Sequence, residues 1–197
     1  MSPGKSPQKR CYMLSHGTDM EEYRENPDWD FSLLPITNND IILIASLMPK
    51  ANVITLELSR CDITDITPLK GCMPNVQELN LNSNEITDIA PLQGSMPNVQ
   101  DLDLFLNYIT DISPLHDSMP KVTILRLSNN KIVDISPLHD SMPNMQNLYL
   151  SGNQFTDITP LCGSMPNVQE LYLYRNNISK ADKLLLREEF GETVVNV

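Results

Sequence analysis

The chain is 197 residues long, with 25 acidic and 14 basic side chains and a formal net charge of −11 at pH 7. This negative balance disfavours a broad nucleic-acid-binding face and docking on an anionic membrane, and no apolar run is long enough to span a bilayer. The length suffices for one domain with a continuous hydrophobic core. We therefore expect one domain that binds neither nucleic acid nor membrane.

Residues 1–27 are predicted to form a disordered or loosely packed tail. The first ten residues hold three basic side chains and no acidic one, a composition that buries too little apolar surface to fold. The N-terminus is also too polar for a signal peptide. Ser6 precedes a proline and resembles a proline-directed kinase site, so phosphorylation there stays open beside a chance match.

Residues 28–52 are predicted to cap the N-terminal end of the domain. The polar run that begins at Asn38 and ends at Asp40 contains residue types that start helices, and the apolar residues after it follow a helical spacing. Trp29 and Phe31 are expected to pack beside this helix. Its predicted apolar stripe consists of Ile41, Ile44, Ala45, Leu47 and Met48.

Residues 53–178 contain six copies of one 23-residue unit. Each copy carries Leu-x-Leu and then Asn or Cys, and five of the six continue to Asp-Ile-x-Pro-Leu. A fixed period of this size indicates a solenoid, in which each unit buries its apolar face only against its neighbours. The copies begin at Val53, Val76, Val99, Val122, Met145 and Val168.

Each position in the unit has a structural explanation. The Leu-x-Leu alternation is typical of a short strand with one face buried, so successive units should form one parallel sheet. The Asn side chain can satisfy buried backbone groups of the neighbouring unit, and Cys61 replaces it in the first copy. The Asp-Ile-x-Pro-Leu segment favours a tight turn or a 3₁₀ segment, because Asp caps the turn and Pro fixes the dihedral angle φ.

The unit resembles the short class of leucine-rich repeat, which occurs in bacterial internalins and in eukaryotic phosphatase-regulating repeat proteins. Residues 109–115, with the sequence Ile-Thr-Asp-Ile-Ser-Pro-Leu, are especially similar to internalins. The resemblance implies an α/β fold: a curved solenoid with a parallel β-sheet on the concave face and 3₁₀ or turn segments on the convex face. It does not identify a partner, because these families bind unrelated targets.

Residues 179–197 break the repeat pattern and are predicted to form a C-terminal cap of one helix and one strand. Ser179 and Asp182 favour a helix start, and Gly191 favours its end. The valines near the C-terminus are expected to add a last edge strand to the sheet. The predicted apolar face of the helix comprises Leu184, Leu185 and Phe190.

The four cysteines fall at unrelated positions of the repeat, so they are predicted to be free thiols in a reducing compartment. Together with the polar N-terminus, this favours a cytoplasmic location. The alternative is an exported protein whose export signal lies outside this sequence.

Two motifs combine the residue types of a hydrolase triad, at residues 116–118 and 139–141. Contiguous residues in a turn do not generally converge in triad geometry, so we interpret both as solvated loops. A column of aspartates, one per unit from Asp65 to Asp157, could attract a cation, but one carboxylate per turn provides too few oxygens for calcium. These aspartates are expected to cap turns. We predict no catalytic residue, no metal and no cofactor.

The strand side chains that point away from the core should share the concave face. This set is acidic in the N-terminal half, whereas the C-terminal half carries tyrosines and arginine, the residues that dominate protein interfaces. Stacking between neighbouring strands would explain the tyrosines without a partner, and that alternative stays open. The predicted protein-binding residues are Glu57, Glu78, Asp101, Asp103, Phe105, Tyr108, Arg126, Tyr149, Tyr172, Tyr174 and Arg175.

We predict a monomeric, non-catalytic scaffold or regulatory subunit that recognises a protein partner on its concave face. The similarity to phosphatase-regulating repeat proteins implies an intracellular regulatory role. Two alternatives remain: a surface or secreted adhesin of the internalin type, with a role in virulence, and a docking module of a longer chain. An enzyme is disfavoured, because the sequence contains no nucleophile–base pair, metal-ligand spacing or phosphate-binding loop.

Overall fold

The computed structural model describes residues 26–192 and 194–197, which are organised around one parallel sheet of eight short strands. The strands pair in chain order, so each internal strand hydrogen-bonds to its predecessor and to its successor. This architecture confirms the predicted α/β solenoid. The strands are β1 (Asp28–Asp30), β2 (Thr55–Glu57), β3 (Glu78–Asn80), β4 (Asp101–Asp103), β5 (Ile124–Arg126), β6 (Asn147–Tyr149), β7 (Glu170–Tyr172) and β8 (Val195–Asn196).

The register places equivalent residues of successive repeats side by side. Leu79 pairs with Leu102, and Leu102 pairs with Leu125, so the inward leucines form a column. Each of these three side chains is at most 1% exposed. The hydrophobic core therefore runs the length of the solenoid, and every repeat shares it with its neighbours.

A 3₁₀ segment lies on the convex side of each of the first five repeats. Asp65 accepts a hydrogen bond from the backbone N–H of Thr67 at 2.8 Å, and the four equivalent aspartates do the same at 2.8–2.9 Å. The predicted turn capping is confirmed. The segments are Thr67–Leu69, Ala90–Leu92, Ser113–Leu115, Ser136–Leu138 and Thr159–Leu161.

The asparagine of each repeat turns inward and links two units. Asn107 Oδ1 accepts a hydrogen bond from the N–H of Ile86 at 3.0 Å, and its Nδ2 donates to the carbonyl of Leu81 at 3.0 Å. In the first repeat the Cys61 thiol donates to the carbonyl of Phe31 at 3.2 Å. Burial raises the pKa of this thiol to about 11, so it is a structural group rather than a nucleophile.

The N-terminal cap consists of helix α1 (Asn38–Leu47), followed by a 3₁₀ turn, and of strand β1. The helix begins earlier than predicted: the N-cap is Thr37 rather than a residue of the polar run 38–40, and its hydroxyl oxygen and Asp40 form a reciprocal capping box. Strand β1 was not predicted, although Trp29 and Phe31 are both buried and alternate as the two leucines of a repeat do. Trp29 pairs with Leu56 but lies 27 residues before it, so the strand falls outside the 23-residue period. The tail predicted for residues 1–27, including Ser6, lies outside the described residues apart from its last two positions.

The C-terminal cap consists of helix α2 (Lys180–Phe190) and strand β8. As predicted, Ser179 is the N-cap, accepting a hydrogen bond from the N–H of Asp182 at 3.1 Å, and Gly191 ends the helix. The predicted apolar face is wrong in part. Leu184 and Leu185 are 59% and 46% exposed, whereas Leu186 is fully buried. Leu186 is the one buried residue of the helix, and Asp182 and Phe190, four residues to either side, are partly exposed. This spacing leaves the two leucines before Leu186 outside the inward-facing stripe.

Candidate protein-binding face

The concave face displays its outward side chains in columns, because parallel register repeats each position at the strand spacing of ~4.8 Å. The column through the last residue of each repeat strand changes from acidic to aromatic along the solenoid. A second column runs two residues further along each repeat, beyond the ends of the strands. The first column reads Glu57, Asn80, Asp103, Arg126, Tyr149 and Tyr172, and the second reads Ser59, Asn82, Phe105, Ser128, Ser151 and Tyr174.

The N-terminal part of this face, here called the acidic half, comprises the outward carboxylates of β2 to β4. Glu57 accepts hydrogen bonds from Asn80 Nδ2 at 2.8 Å and from the N–H of Ser59 at 2.9 Å. Burial is the main cause that raises the pKa of Asp103, and it outweighs the hydrogen bond that its carboxylate accepts from the N–H of Phe105. The carboxylates line a small depression, so negative charge is concentrated there.

Arg126 stands at the boundary between the two halves. Its Nη1 atom forms an ion pair with Asp101, and both side chains are about one-third exposed, at 34% and 30%. Its guanidinium carbon also lies 5.7 Å from the centre of the Tyr149 ring, within cation–π range. One side chain therefore contacts the last acidic strand and the first tyrosine.

The C-terminal part, here called the aromatic half, is built on β6 and β7. The rings of Tyr149 and Tyr172 stack with centres 4.9 Å apart and planes 11° apart. The Tyr149 hydroxyl donates a hydrogen bond to Glu170 Oε2 at 2.6 Å. The pKa of Tyr149 is raised, chiefly by burial and secondly by this carboxylate. The stacking between neighbouring strands that offers an alternative explanation for the tyrosines is therefore present. Both rings nevertheless stand on the outward side of their strands and are only half-buried.

An open depression in the aromatic half, here called the aromatic groove, has a volume of about 390 Å³. Two serines lie between the two aromatic side chains of the second column, and none of the residues lining the groove is acidic. The groove is lined by Phe105, Arg126, Ser128, Asn129, Tyr149, Ser151, Tyr172 and Tyr174.

The predicted binding residues do not all meet. Phe105, Arg126 and the three tyrosines from β6 onward converge on the aromatic groove, and Arg175 adjoins it with its guanidinium carbon 5.9 Å from the centre of the Tyr174 ring. Tyr108 lies on the flank beyond the strand ends, where the amine of Lys131 is 4.7 Å from its ring centre. Tyr108 is therefore separate from the groove.

The predicted set of binding residues did not include the small residues of the groove or one exposed leucine. Ser128, Asn129 and Ser151 carry no signal by themselves, because small polar residues are common at strand ends. Leu106 did carry a signal. It is 49% exposed with φ +54°, and the equivalent positions of the neighbouring repeats hold Ser83 and Asn129, which are polar.

The two triad-like motifs assemble between repeats rather than within one. His116 Nδ1 lies 2.6 Å from the hydroxyl of Ser141 in the next repeat, and His116 Nε2 lies 3.3 Å from Asp117. His139 repeats the arrangement with Ser164. The Ser141 hydroxyl is buried and also donates to the carbonyl of Pro137 at 2.9 Å, so its proton is already engaged. These contacts tie adjacent convex turns together.

Within residues 26–192 and 194–197, no three or more His, Cys, Asp or Glu side chains are grouped so that they could bind a metal ion. Over the same ranges, no helix has both the length and the apolar character needed to cross a membrane.

A family model described as "Leucine Rich repeats (2 copies)" matches the chain at residues 51–94, 74–116, 97–140, 120–163 and 143–186. No curated protein matches the sequence. Internalin C2 of Listeria monocytogenes is 30% identical with a TM-score of 0.61, and the match covers 85% of this chain and 77% of that protein's structure.

Two further solved structures share the fold at lower identity. Internalin F of Listeria monocytogenes is 21% identical with a TM-score of 0.53, over 86% of this chain and 58% of that chain. Pollen Receptor Kinase 3 is 22% identical with a TM-score of 0.55, over 66% of this chain and 65% of that chain. Repeat sequence and backbone thus point to the same fold.

Proposed function

The chain belongs to the leucine-rich repeat family, and from this premise we propose that it is a non-catalytic scaffold or regulatory subunit whose concave face binds one protein partner. The observation that carries the proposal is the division of that face into an acidic half and an aromatic half joined at Arg126. Aromatic residues and arginine supply most of the energy of protein interfaces, and flanking charges select and orient the partner.

The tyrosines of the aromatic half do not belong to the core. Leu148 and Leu171 lie on the inward side of the same strands and are fully buried, whereas Tyr149 and Tyr172 lie on the outward side. Such rings cost solubility unless a partner covers them. Six repeat strands give a face of roughly 25–30 Å, long enough for a standard interface of ~800 Å² per partner.

The proposal includes a reducing compartment such as the cytoplasm and a monomeric state before the partner binds. Cys61, Cys72 and Cys162 are free thiols in the described part of the chain, which supports a compartment where disulfides do not form. The acidic surface opposes self-association, because two like-charged faces repel each other.

A surface or secreted adhesin is the second candidate. The observation in its favour is the 30% identity to internalin C2, which extends over most of both chains. The partner would then be exposed on another cell rather than dissolved in the source cell. Capture from source-cell lysate and capture on the surface of unrelated cells therefore separate the two candidates.

The experiment is an affinity capture with wild type and with the variant Tyr149→Ala/Tyr172→Ala. Leu184→Ala/Leu185→Ala serves as the matched control, because it also removes two exposed apolar side chains, but from the C-terminal cap. We expect one protein to be retained by wild type and by the control and lost by the tyrosine variant, with the thermal midpoint Tm of all three proteins close together.

Retention of the same protein by all three would exclude the concave face as the binding site. Loss of the partner from the cap variant alone would place the interface on helix α2. If neither lysate nor cell surfaces yield a protein that depends on the two tyrosines, the proposal fails.

A further inference from the structure

Ser151, in the floor of the aromatic groove, holds a buried hydroxyl without a partner. The residue is 3% exposed, and its Oγ atom makes no hydrogen bond with any residue that the structure describes. Buried serines on the convex side behave differently: Ser95 and Ser118 donate to proline carbonyls at 2.8 and 2.7 Å. A buried polar group that lacks a partner costs free energy, and a ligand that supplies one recovers it.

The groove has the shape of a slot for a planar ring. In the second column Ser128 and Ser151 lie between Phe105 and Tyr174, so two small residues separate two large ones. Three strand spacings between the outer residues amount to ~14 Å, more than the length of one aromatic side chain. The stacked rings of the aromatic half form the remaining wall.

Cationic side chains of the protein already lie beside the ring faces of the groove. The guanidinium groups of Arg126 and Arg175 already lie 5.7 and 5.9 Å from the ring centres of Tyr149 and Tyr174. An ammonium or guanidinium group entering the groove would compete with these two guanidinium groups for the same ring faces. A neutral ring with a polar tip avoids that competition.

We propose that the aromatic groove binds a tyrosine side chain of the protein partner, with its phenol hydroxyl hydrogen-bonded to Ser151. This inference rests on the proposed function and names the anchor residue that the face selects. The aromatic walls bury the ring. The hydrogen bond to Ser151 favours tyrosine over phenylalanine, which lacks the hydroxyl.

Leu106 marks the path of the partner chain out of the groove. Its N–H donates to the carbonyl of Ser128 at 3.0 Å, which places it beside Asn129 at the rim. The position has a positive φ in all six repeats, so its backbone conformation belongs to the repeat turn. Only this copy places an exposed aliphatic side chain there, and contact with the partner chain explains that choice.

The acidic half defines the rest of the partner segment. Four strand spacings separate β2 from β6, ~19 Å, which an extended chain covers in about six residues. The carboxylates of Glu57 and Glu78 face this path. The partner segment therefore carries basic side chains about six residues from its tyrosine.

The first test uses p-cresol as the tyrosine side-chain analogue, toluene as the phenylalanine analogue and benzylamine as a cationic ring. Each is titrated into the isotopically labelled full chain, and amide chemical shifts are followed by NMR. We expect p-cresol to shift the resonances around Ser151 and to bind about fivefold more tightly than toluene, the value of one neutral hydrogen bond. Benzylamine should bind more weakly than p-cresol.

Two variants complete this test. Ser151→Ala should reduce p-cresol affinity to the toluene level and should leave Tm equal or higher, because it removes an unpaired buried hydroxyl. Ser59→Ala, at the equivalent position of the first repeat, should change neither value. Equal binding of p-cresol and toluene, stronger binding of benzylamine, an unchanged p-cresol affinity in Ser151→Ala, or a lowered Tm in that variant would each overturn the inference.

A second test uses the peptide acetyl-Lys-Lys-Gly-Ser-Gly-Ser-Gly-Tyr-amide and its reversed sequence. At least one orientation should bind in a manner that is lost in Ser151→Ala and weakened when both lysines are replaced by glutamate. Binding that ignores both changes would refute the proposed segment. If a partner depends on Tyr149 and Tyr172 but binds equally well to Ser151→Ala, this inference is wrong and the proposed function stands. If p-cresol binding depends on Ser151 but no protein is captured, the proposed function is wrong and the groove assignment stands.

Discussion

The acidic and aromatic halves of the concave face are built on the same backbone and differ only in side chains. In the acidic half, carboxylates accept hydrogen bonds from neighbouring amides, as Glu57 does from Asn80. In the aromatic half, the rings of Tyr149 and Tyr172 stack on each other and leave a groove beside them. One half suits long-range attraction, and the other suits short-range burial. A repeat fold can thus separate steering from anchoring without any change in the scaffold.

Each half also carries a group that destabilises the free protein. Burial raises the pKa of Asp103, so holding its charge at neutral pH opposes folding, and the unpaired hydroxyl of Ser151 does the same. Both costs lie on the outward face and neither strengthens the core. A cationic, tyrosine-bearing partner would remove both.

The largest expected effect comes from breaking the core that both halves share. Leu125 is fully buried on β5, directly beneath their boundary. Leu125→Ala should lower the free energy of unfolding by about 2–5 kcal/mol through the cavity it leaves. The neighbouring outward variant Ile124→Ala should cost less than about 1.5 kcal/mol. Urea titration of the two variants measures the difference, and equal losses would contradict the assigned inward and outward faces.

Removing the anchors should separate binding from stability. With the captured partner in hand, Tyr149→Ala/Tyr172→Ala should weaken binding by more than ~2 kcal/mol, the scale of interface hot spots. The free energy of unfolding should change by less than ~1 kcal/mol, because aromatic stacking is the main interaction lost within the free protein. Calorimetric titration and urea unfolding report the two quantities. A variant that unfolds instead would show that the rings support the core.

Neutralising the acidic half should act on association. Glu57→Gln/Glu78→Gln should slow partner association roughly tenfold at low salt, with little change in the dissociation rate, because rim charges steer encounter more than they hold the complex. The control Glu188→Gln/Glu192→Gln removes the same charge from two exposed residues at the C-terminal cap. Stopped-flow kinetics at two ionic strengths measure the association rate. An equal effect of both variants would show that net charge, and not the position of the carboxylates in the acidic half, sets that rate.

The smallest expected effect is a contrast in pH dependence between convex and concave aspartates. Hydrogen bonds to Thr67 and Thr159 lower the pKa of Asp65 and Asp157, so their stabilising contribution is present above the unfolded pKa and is lost as pH falls through the folded value. Burial raises the pKa of Asp103, so its penalty is full above the folded pKa and disappears as pH falls below the unfolded one.

Unfolding of wild type and single Asp→Asn variants between pH 7 and pH 3 measures this contrast. Relative to its variant, wild type should lose stability on acidification at Asp65 and Asp157 and gain stability at Asp103. Slopes of the same sign at all three positions would contradict the assignment.

Much of the fold was predictable because a solenoid repeats its contacts at a constant offset. Asn107 accepts a hydrogen bond from the preceding repeat in the way that Asn130 and Asn153 do. One explanation of this repeat position therefore applies to all three copies. The caps were harder. Helix α2 packs once, against one end, and no second copy reveals that Leu186 rather than Leu184 faces the core.

The candidate site divides in the same way. Outward position follows from strand alternation, so the sequence alone determined that Glu57, Tyr149 and Tyr172 share a face, along with the period, the parallel sheet and the turn caps. Only the tertiary structure decided that Arg126 bridges the two halves and that Ser151 lies buried without a partner. The physical reason is that periodic positions are fixed by the backbone, whereas side-chain contacts between non-identical neighbours depend on rotamers and volumes that no repeat pattern encodes.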